Sequence, residues 1–219
     1  LFDPDKRQAA GLPREVHAAS LNAGIFGEAG PDRVLESLPV KSFESVMNTN
    51  CTGPFRGIKE FAKAAATTQV HNPSLLLIKS IYGSGGSAFS NAGYQASKFC
   101  VDGLVKQAAI EFAQEDPERG TPRITVNSIS PGFAKTPLTK GWWDNPIIDE
   151  IVAHSHPQGR WVNPYDIGEV SQFLLNAPRS MTGVDIFVDN GVSSASVPTV
   201  KDSEYIRSMS DEPCCGKSK

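Results

Sequence analysis

The stretch SLLLIKSIYGSGG at residues 74–86, followed closely by NAGYQASK at residues 91–98, decides the fold. Leu75, Leu76, Leu77 and Ile78 form an unbroken apolar run of strand length, which suits a strand inside a sheet. Ser80 lies at its end, and Gly83, Ser84, Gly85 and Gly86 demand a loop. From residue 91 to about 115 the pattern changes to a helix, with Val101, Leu104, Val105, Ala108 and Phe112 spaced along one apolar stripe. Near the start of that helix Tyr94 and Lys98 stand at i and i+4, so their side chains share one face.

Reading outward in both directions, strand-like and helix-like segments alternate. Residues 16–21 read as a short buried strand running into Asn22–Ala23–Gly24. Residues 42–68 read as a long helix with Ser42 as its N-cap, bent or delayed by Gly53 and Pro54. Residues 124–129 form the next strand, ended by Pro131–Gly132, and Pro164–Tyr165–Asp166 opens a helix that runs to Leu175. Residues 184–188 form the last strand, stopped by Asn190–Gly191. This alternation predicts an α/β domain whose mostly parallel sheet is covered by helices on both faces. Beyond Ser193 the chain is polar and is expected to be a flexible tail.

Composition narrows the function. With 219 residues the chain can bury a substantial core, and a net charge of −3 gives no electrostatic reason to expect nucleic acid or an anionic membrane as partner. No apolar run is long enough to span a bilayer, and residues 1–7 lack the basic start and apolar stretch of a signal peptide. Cys51, Cys100, Cys214 and Cys215 have no metal-ligand spacing, so reduced thiols and a cytoplasmic setting are expected. His17, His71, His154 and His156 form no metal motif, and no metal is expected.

A tyrosine that is to move a proton at neutral pH needs help, because its ordinary pKa is about 10. A nearby ammonium favours the phenolate and lowers that value, which is what Lys98 is placed to do for Tyr94. Tyrosine and lysine at this spacing also occur on plain solvent-facing helices, and a lone serine such as Ser80 is commonly a turn or capping residue. The order of strand, Ser80, glycine-containing loop and Tyr94 helix favours a site, because ligands of open α/β sheets bind beyond the strands' C-terminal ends.

The motifs taken in order resemble the short-chain dehydrogenase/reductase family: Asn22–Ala23–Gly24, Asn50 with Gly53 and Phe55, Ser80–Ile81–Tyr82–Gly83, Tyr94 and Lys98, and Asn127 with Pro131–Gly132 and Thr136. Gly159–Arg160–Trp161, Thr182–Gly183 and Asp189–Asn190–Gly191 extend the likeness to about Val192. The resemblance implies a doubly wound, Rossmann-like fold over residues 1–193 and hydride exchange between a nicotinamide cofactor and an alcohol or carbonyl. Either NAD or NADP would serve, with NADP the first choice. It assigns Tyr94 as general acid or base, and Lys98 as its partner and a ligand of the nicotinamide ribose. Ser80 would orient and polarise the substrate carbonyl, and Asn50 would hold a relay water. Asn22, Ala23 and Gly24 would line the adenosine side, with Pro131, Gly132 and Phe133 behind the nicotinamide and Thr136 on its carboxamide. Residues 136–161, carrying Trp142, Trp143, Ile147, Ile148 and Trp161, stand where the family has its substrate-covering loop. They imply an apolar or aromatic small-molecule substrate, or else pack on the domain body or a neighbouring subunit. The family also implies a homodimer or homotetramer built on the helices of Asn50 and Tyr94.

One departure matters. No Gly-x-x-x-Gly-x-Gly turn precedes Asn22 in this sequence, so the pyrophosphate-binding βαβ portion of the family is expected to be missing from the chain. That leaves a second expectation open: a shortened relative that binds no dinucleotide, acting as an interaction protein or as a cofactor-free isomerase or lyase.

Overall fold

The computed structural model describes residues 1–27, 35–85 and 91–194. Among them the sheet has four strands in the order β1-β2-β3-β4: β1 (Ala18–Leu21), β2 (Ser74–Ile78), β3 (Thr125–Pro131) and β4 (Asp185–Val188). Every pairing is parallel, with Leu21 opposite Leu77, Leu77 opposite Ser128 and Ser128 opposite Asp185. All strands therefore end on the same side.

The apolar run of β2 divides by the period of a strand. Leu75 and Leu77 join Phe61, Ala65, Val101, Val105 and Val126 in a core beneath α3 (Gly53–Thr68) and α4 (Ala92–Glu111). Leu76 and Ile78 face the other way, with Ile129 and Leu174 of α7 (Pro164–Leu175). This is the Rossmann-like α/β arrangement the alternation predicts, with helices on both faces. Val101, Val105 and Ala108 of the α4 stripe are consumed by the core, with Leu104 and Phe112 packed at its border.

The helix expected at 42–68 is three pieces. α2 (Val40–Met47) starts after Pro39, which makes no side-chain cap, so Ser42 is inside the first turn and is not the N-cap. A π-helical turn, Asn48–Thr52, joins α2 to α3 and carries Asn50 at its centre. Pro54, lacking an N–H, follows this turn directly, within a helical run that continues without a break from Val40 to Thr68. The loop expected after Ser80 begins as a 3-10 turn, Ile81–Gly83, and Gly86 lies outside the described residues.

The cysteines correct another expectation. Cys51 in the π-helical turn and Cys100 in α4 form a disulfide, their Cα atoms 5.8 Å apart. With 49 residues of separation no spacing pattern announces the pair; packing of the π turn on α4 creates it. Cys214, Cys215 and the tail from residue 195 lie outside the described residues.

Before β1 the chain forms α1 (Pro4–Ala9), capped by Asp3 and laid against α3 by an edge-to-face contact of Phe2 with Phe61 at 5.6 Å. β1 pairs with β2 alone among the described residues, so it is an edge of this sheet. After β3 come α5 (Lys140–Trp143) and α6 (Pro146–Ser155), the latter capped by Asn145. No helix of the described residues is long and apolar enough to cross a membrane.

Candidate active site

A cavity of about 450 Å³ opens beyond the C-terminal ends of the strands. Asn22, Ala23, Gly24 and Phe26 reach it from β1, Lys79 to Tyr82 from β2, Tyr94 and Lys98 from α4, and Pro131 to Ala134 with Thr136 from β3. Thr139 and Trp142 complete it from the lid side. Every site residue expected from the sequence lines this cavity except Asn50, which sits directly behind it.

Local structure explains how the polar residues converge. Asn91 caps α4, its Oδ1 accepting from Tyr94 N at 2.8 Å, while its Nδ2 donates to Phe26 O at 2.8 Å. One side chain thus ties the helix start to the segment after β1. Ser80 Oγ accepts from Tyr82 N at 3.2 Å and lies close enough to the Tyr94 phenol to favour its ionised form. Ser80 thus caps the turn that follows β2 and at the same time lines the cavity. Lys98 Nζ donates to Ile78 O at 2.9 Å and lies 5.5 Å from the centre of the Tyr94 ring.

Asn50 is buried and clamps the main chain. Its Oδ1 accepts from Ile25 N at 2.8 Å, and its Nδ2 donates to Ile25 O at 2.7 Å and to Ser97 Oγ at 3.1 Å. Ser97 Oγ in turn donates to Tyr94 O at 2.6 Å. The π turn matters because its widened backbone delivers this amide between β1 and α4. Gly24 lies between Asn50 and Lys98: a Cβ there would stand 3.4 Å from Asn50 Oδ1 and 3.9 Å from Lys98 Nζ.

Burial moves both titrating groups toward neutrality. The Tyr94 phenol is pushed up to about 12 by loss of water, a rise that the Ser80 hydroxyl opposes. The Lys98 amine is pushed down to about 8 by the same cause. The Tyr94 shift therefore runs opposite to the lowering expected from Lys98: burial of the phenol sets its direction, and Ser80 is the neighbour that opposes it. At neutral pH the site holds an uncharged phenol beside a charged amine.

Three neighbours of the site were not legible as such. Lys79, almost fully buried, forms ion pairs with Asp102 of α4 at 2.5 Å and Asp185 of β4 at 2.7 Å, and Ser128 and Ser130 donate to Asp185. This network ties the residue before Ser80 to the helix of Tyr94. Phe26 lies 4.7 Å from the Tyr94 ring and 4.9 Å from Trp142, roofing the tyrosine. His156 is buried behind Gly132 and Phe133. Each depends on contacts across the fold, and only the rarity of a lysine ending an apolar strand could have flagged Lys79.

The lid side is aromatic. Phe133 meets Tyr82 at 5.7 Å, Trp142 at 5.4 Å and Trp161 at 6.1 Å. Lys135 lies over the rings of Trp143 and Trp161 and pairs with Asp149 at 3.0 Å.

Comparison with known proteins agrees with this geometry. Residues 8–193 match a family model described as enoyl-(acyl carrier protein) reductase. The chain belongs to the short-chain dehydrogenase/reductase family. It is 30% identical over 177 residues to the 3-alpha-(or 20-beta)-hydroxysteroid dehydrogenase of Mycobacterium tuberculosis, covering 80% of this chain and 60% of that one. It is 30% identical over 180 residues to the cyclohexanol dehydrogenase of an Acinetobacter species, covering 82% and 64%. Among solved structures, Pseudomonas aeruginosa RhlG with NADP superimposes with a TM-score of 0.70 at 27% identity, over 87% of this chain and 72% of that one. The chain spans about 60% of the length of the curated relatives it matches first.

Proposed function

We propose that this chain supplies the catalytic and substrate-binding part of an NAD(P)-dependent oxidoreductase that interconverts a secondary alcohol and a ketone. The observation that carries the reading is the meeting of Ser80, Tyr94 and Lys98 at the strand ends, in a cavity whose remaining walls are largely aromatic. A nicotinamide would lie against the cavity wall that Gly24 and Gly132 line, where the absence of a Cβ lets Asp189 and His156 pack directly behind Gly132. At Gly132 that atom would lie 2.9 Å from Asp189 Cα. Asn22, Ala23, Gly24, Pro131, Gly132, Phe133 and Thr136 would hold the cofactor on this side, with Lys98 on its ribose. When bound, the nicotinamide gives or takes the hydride.

The chain's own residues handle the oxygen. Ser80 donates to the substrate oxygen and fixes its position. Tyr94, a phenol at neutral pH, gives that oxygen a proton in reduction and recovers it in oxidation. The Lys98 ammonium offsets charge that develops on the Tyr94 oxygen. Asn50 Oδ1, with one lone pair on Ile25 N, keeps another for a relay water.

Phe26, Tyr82, Phe133 and Trp142 favour an apolar cyclic substrate, which agrees with the steroid and cyclohexanol named for the two relatives. NADP is the first cofactor to try, as it is the one bound in the superimposed structure. A homodimer or homotetramer through α3 and α4 belongs to the reading, supported by the exposed Phe55, Phe99 and Ile110 on those helices.

The test follows reduced nicotinamide by absorbance, with cyclohexanol as substrate and NADP or NAD as oxidant. The full protein should turn over, and Tyr94→Phe should lose roughly 10²–10⁴-fold in rate with an unchanged circular dichroism spectrum. A Phe variant of near-normal rate would remove Tyr94 from the proton transfer.

A further inference from the structure

His156 follows the last residue of α6, and its ring is enclosed, with 1% of its surface exposed. Nδ1 lies 2.6 Å from Val152 O and 3.3 Å from Ser155 Oγ, both within the lid. Nε2 lies 3.3 Å from Phe133 N, on the wall of the cavity. A carbonyl can only accept and a backbone N–H can only donate, so these partners select one state of the ring: neutral, protonated on Nδ1 and accepting at Nε2. Gly132 makes the approach possible, since a Cβ there would come within 3.1 Å of Nε2. The same ring stacks edge-on against Phe133 at 5.7 Å. Phe133 in turn carries Trp142 and Trp161, so the His156 contact sits where the lid, the wall and the aromatic cluster join.

We propose that His156 is a positioning residue that latches the lid of residues 136–161 onto the Phe133 wall of the cavity, and that it does so only as the neutral imidazole. Protonation turns Nε2 into a donor facing the Phe133 N–H, and two donors in a closed space repel. The charge facing the ring from another element is Asp189, at the end of β4, whose carboxylate already accepts from Gly191 N at 3.0 Å and Ser193 N at 2.6 Å. On its own side of the lid, Asp149 is engaged with Lys135, and His154 and Glu150 are exposed. Burial lowers the His156 pKa from the ordinary histidine value, against the pull of Val152 O and Asp189. The ring is therefore neutral at pH 7, and the folded lid loses stability as pH falls below about 6.5. The latch does not depend on the reaction; its effect on turnover rests on the oxidoreductase reading above.

The chain provides its own reporter, because its three tryptophans, Trp142, Trp143 and Trp161, all belong to the lid segment. Tryptophan emission and far-ultraviolet circular dichroism of the full protein are followed from pH 8 down to pH 5, for wild type, His156→Gln and His156→Leu. Wild type should show a sigmoidal red shift below the ordinary histidine range while its secondary structure persists. His156→Gln keeps an acceptor that does not titrate, so its emission should stay flat. His156→Leu, with no acceptor, should be red-shifted at every pH and should raise KM for cyclohexanol by about five- to tenfold, the worth of one hydrogen bond, with less effect on kcat. An acid shift in His156→Gln equal to that of wild type would overturn the latch, as would wild-type emission and KM in His156→Leu. If the oxidoreductase reading fails, no variant turns over cyclohexanol, yet the three emission profiles still decide the latch.

Discussion

The cavity has two unlike halves. On one side Asn50, Asn91 and Lys98 are joined by directional bonds to main chain of α4, of β2 and of the segment after β1, and Ser80 caps the turn after β2. On the other, residues 136–161 meet Phe133 mainly through ring contacts, and the buried Trp161 Nε1 has no hydrogen-bond partner among the described residues. Directional bonds fix atoms to within a fraction of an ångström, as a proton transfer requires. Aromatic contacts hold area together while tolerating sliding, which suits a surface that must admit and release a molecule. The polar half is fixed by hydrogen bonds, and the lid half combines ring contacts with a few polar ties, Thr139 to Ala134 O, His156 to Phe133 N and Asp149 to Lys135.

The hardest blow to the polar half should come from Lys79→Met. It leaves Asp185 with only the Ser128 and Ser130 hydroxyls and Asp102 with only the exposed Lys106, and we expect a loss of about 3 kcal/mol in urea unfolding. A loss below about 1 kcal/mol would mean that water already supports those carboxylates.

Lys98→Met should act in the opposite direction and sharpen the contrast. The folded-state pKa of about 8 lies below the ordinary 10.5, so above pH 8 the unfolded chain holds more protons and wild-type stability rises with pH. Tyr94, raised to about 12, reverses the trend only above its ordinary value of 10. The variant should be flat between pH 8 and 10. At pH 7 it should be more stable by about 2 kcal/mol, the relief of burying a charge less the lost bond to Ile78 O. Unfolding curves at several pH values check both, and a wild-type slope retained in the variant would assign it to another group.

The smallest effect belongs to the lid. Asn145 Oδ1 accepts from Ile147 N at 3.1 Å to cap α6, and Asn145→Ala should cost about 1 kcal/mol. If the lid opens apart from the sheet, this loss should appear as faster hydrogen exchange confined to residues 136–161, with little change in global unfolding. A matching drop in global stability would show that the lid unfolds together with the rest.

What could be read in the sequence was whatever local spacing encodes. The apolar run of β2, the Tyr94–Lys98 spacing and the turn at Asn190 are of this kind. Asn190 stands at a φ of 54°, which asparagine tolerates better than most residues, where relatives of this family are expected to carry glycine. What could not be read arises only when distant segments meet. The π turn exists because Asn50 must reach Ile25 and Ser97. The Lys79 network joins positions 23 and 106 residues apart. His156 looked like one of four unremarkable histidines until the lid folded over Gly132. The direction of the Tyr94 shift was missed because spacing shows a neighbouring charge but not the amount of water removed.

The Cys51–Cys100 bond has a topological consequence. It closes part of the backbone into a ring, and Ser80, Tyr94 and Lys98 all lie within that ring, with Asn50 one residue outside it. A single cut by a protease anywhere between the two cysteines would open the ring without dividing the molecule. Both fragments would migrate as one species until a reductant separated them, and until then the three residues would stay tethered to the Asn50 turn.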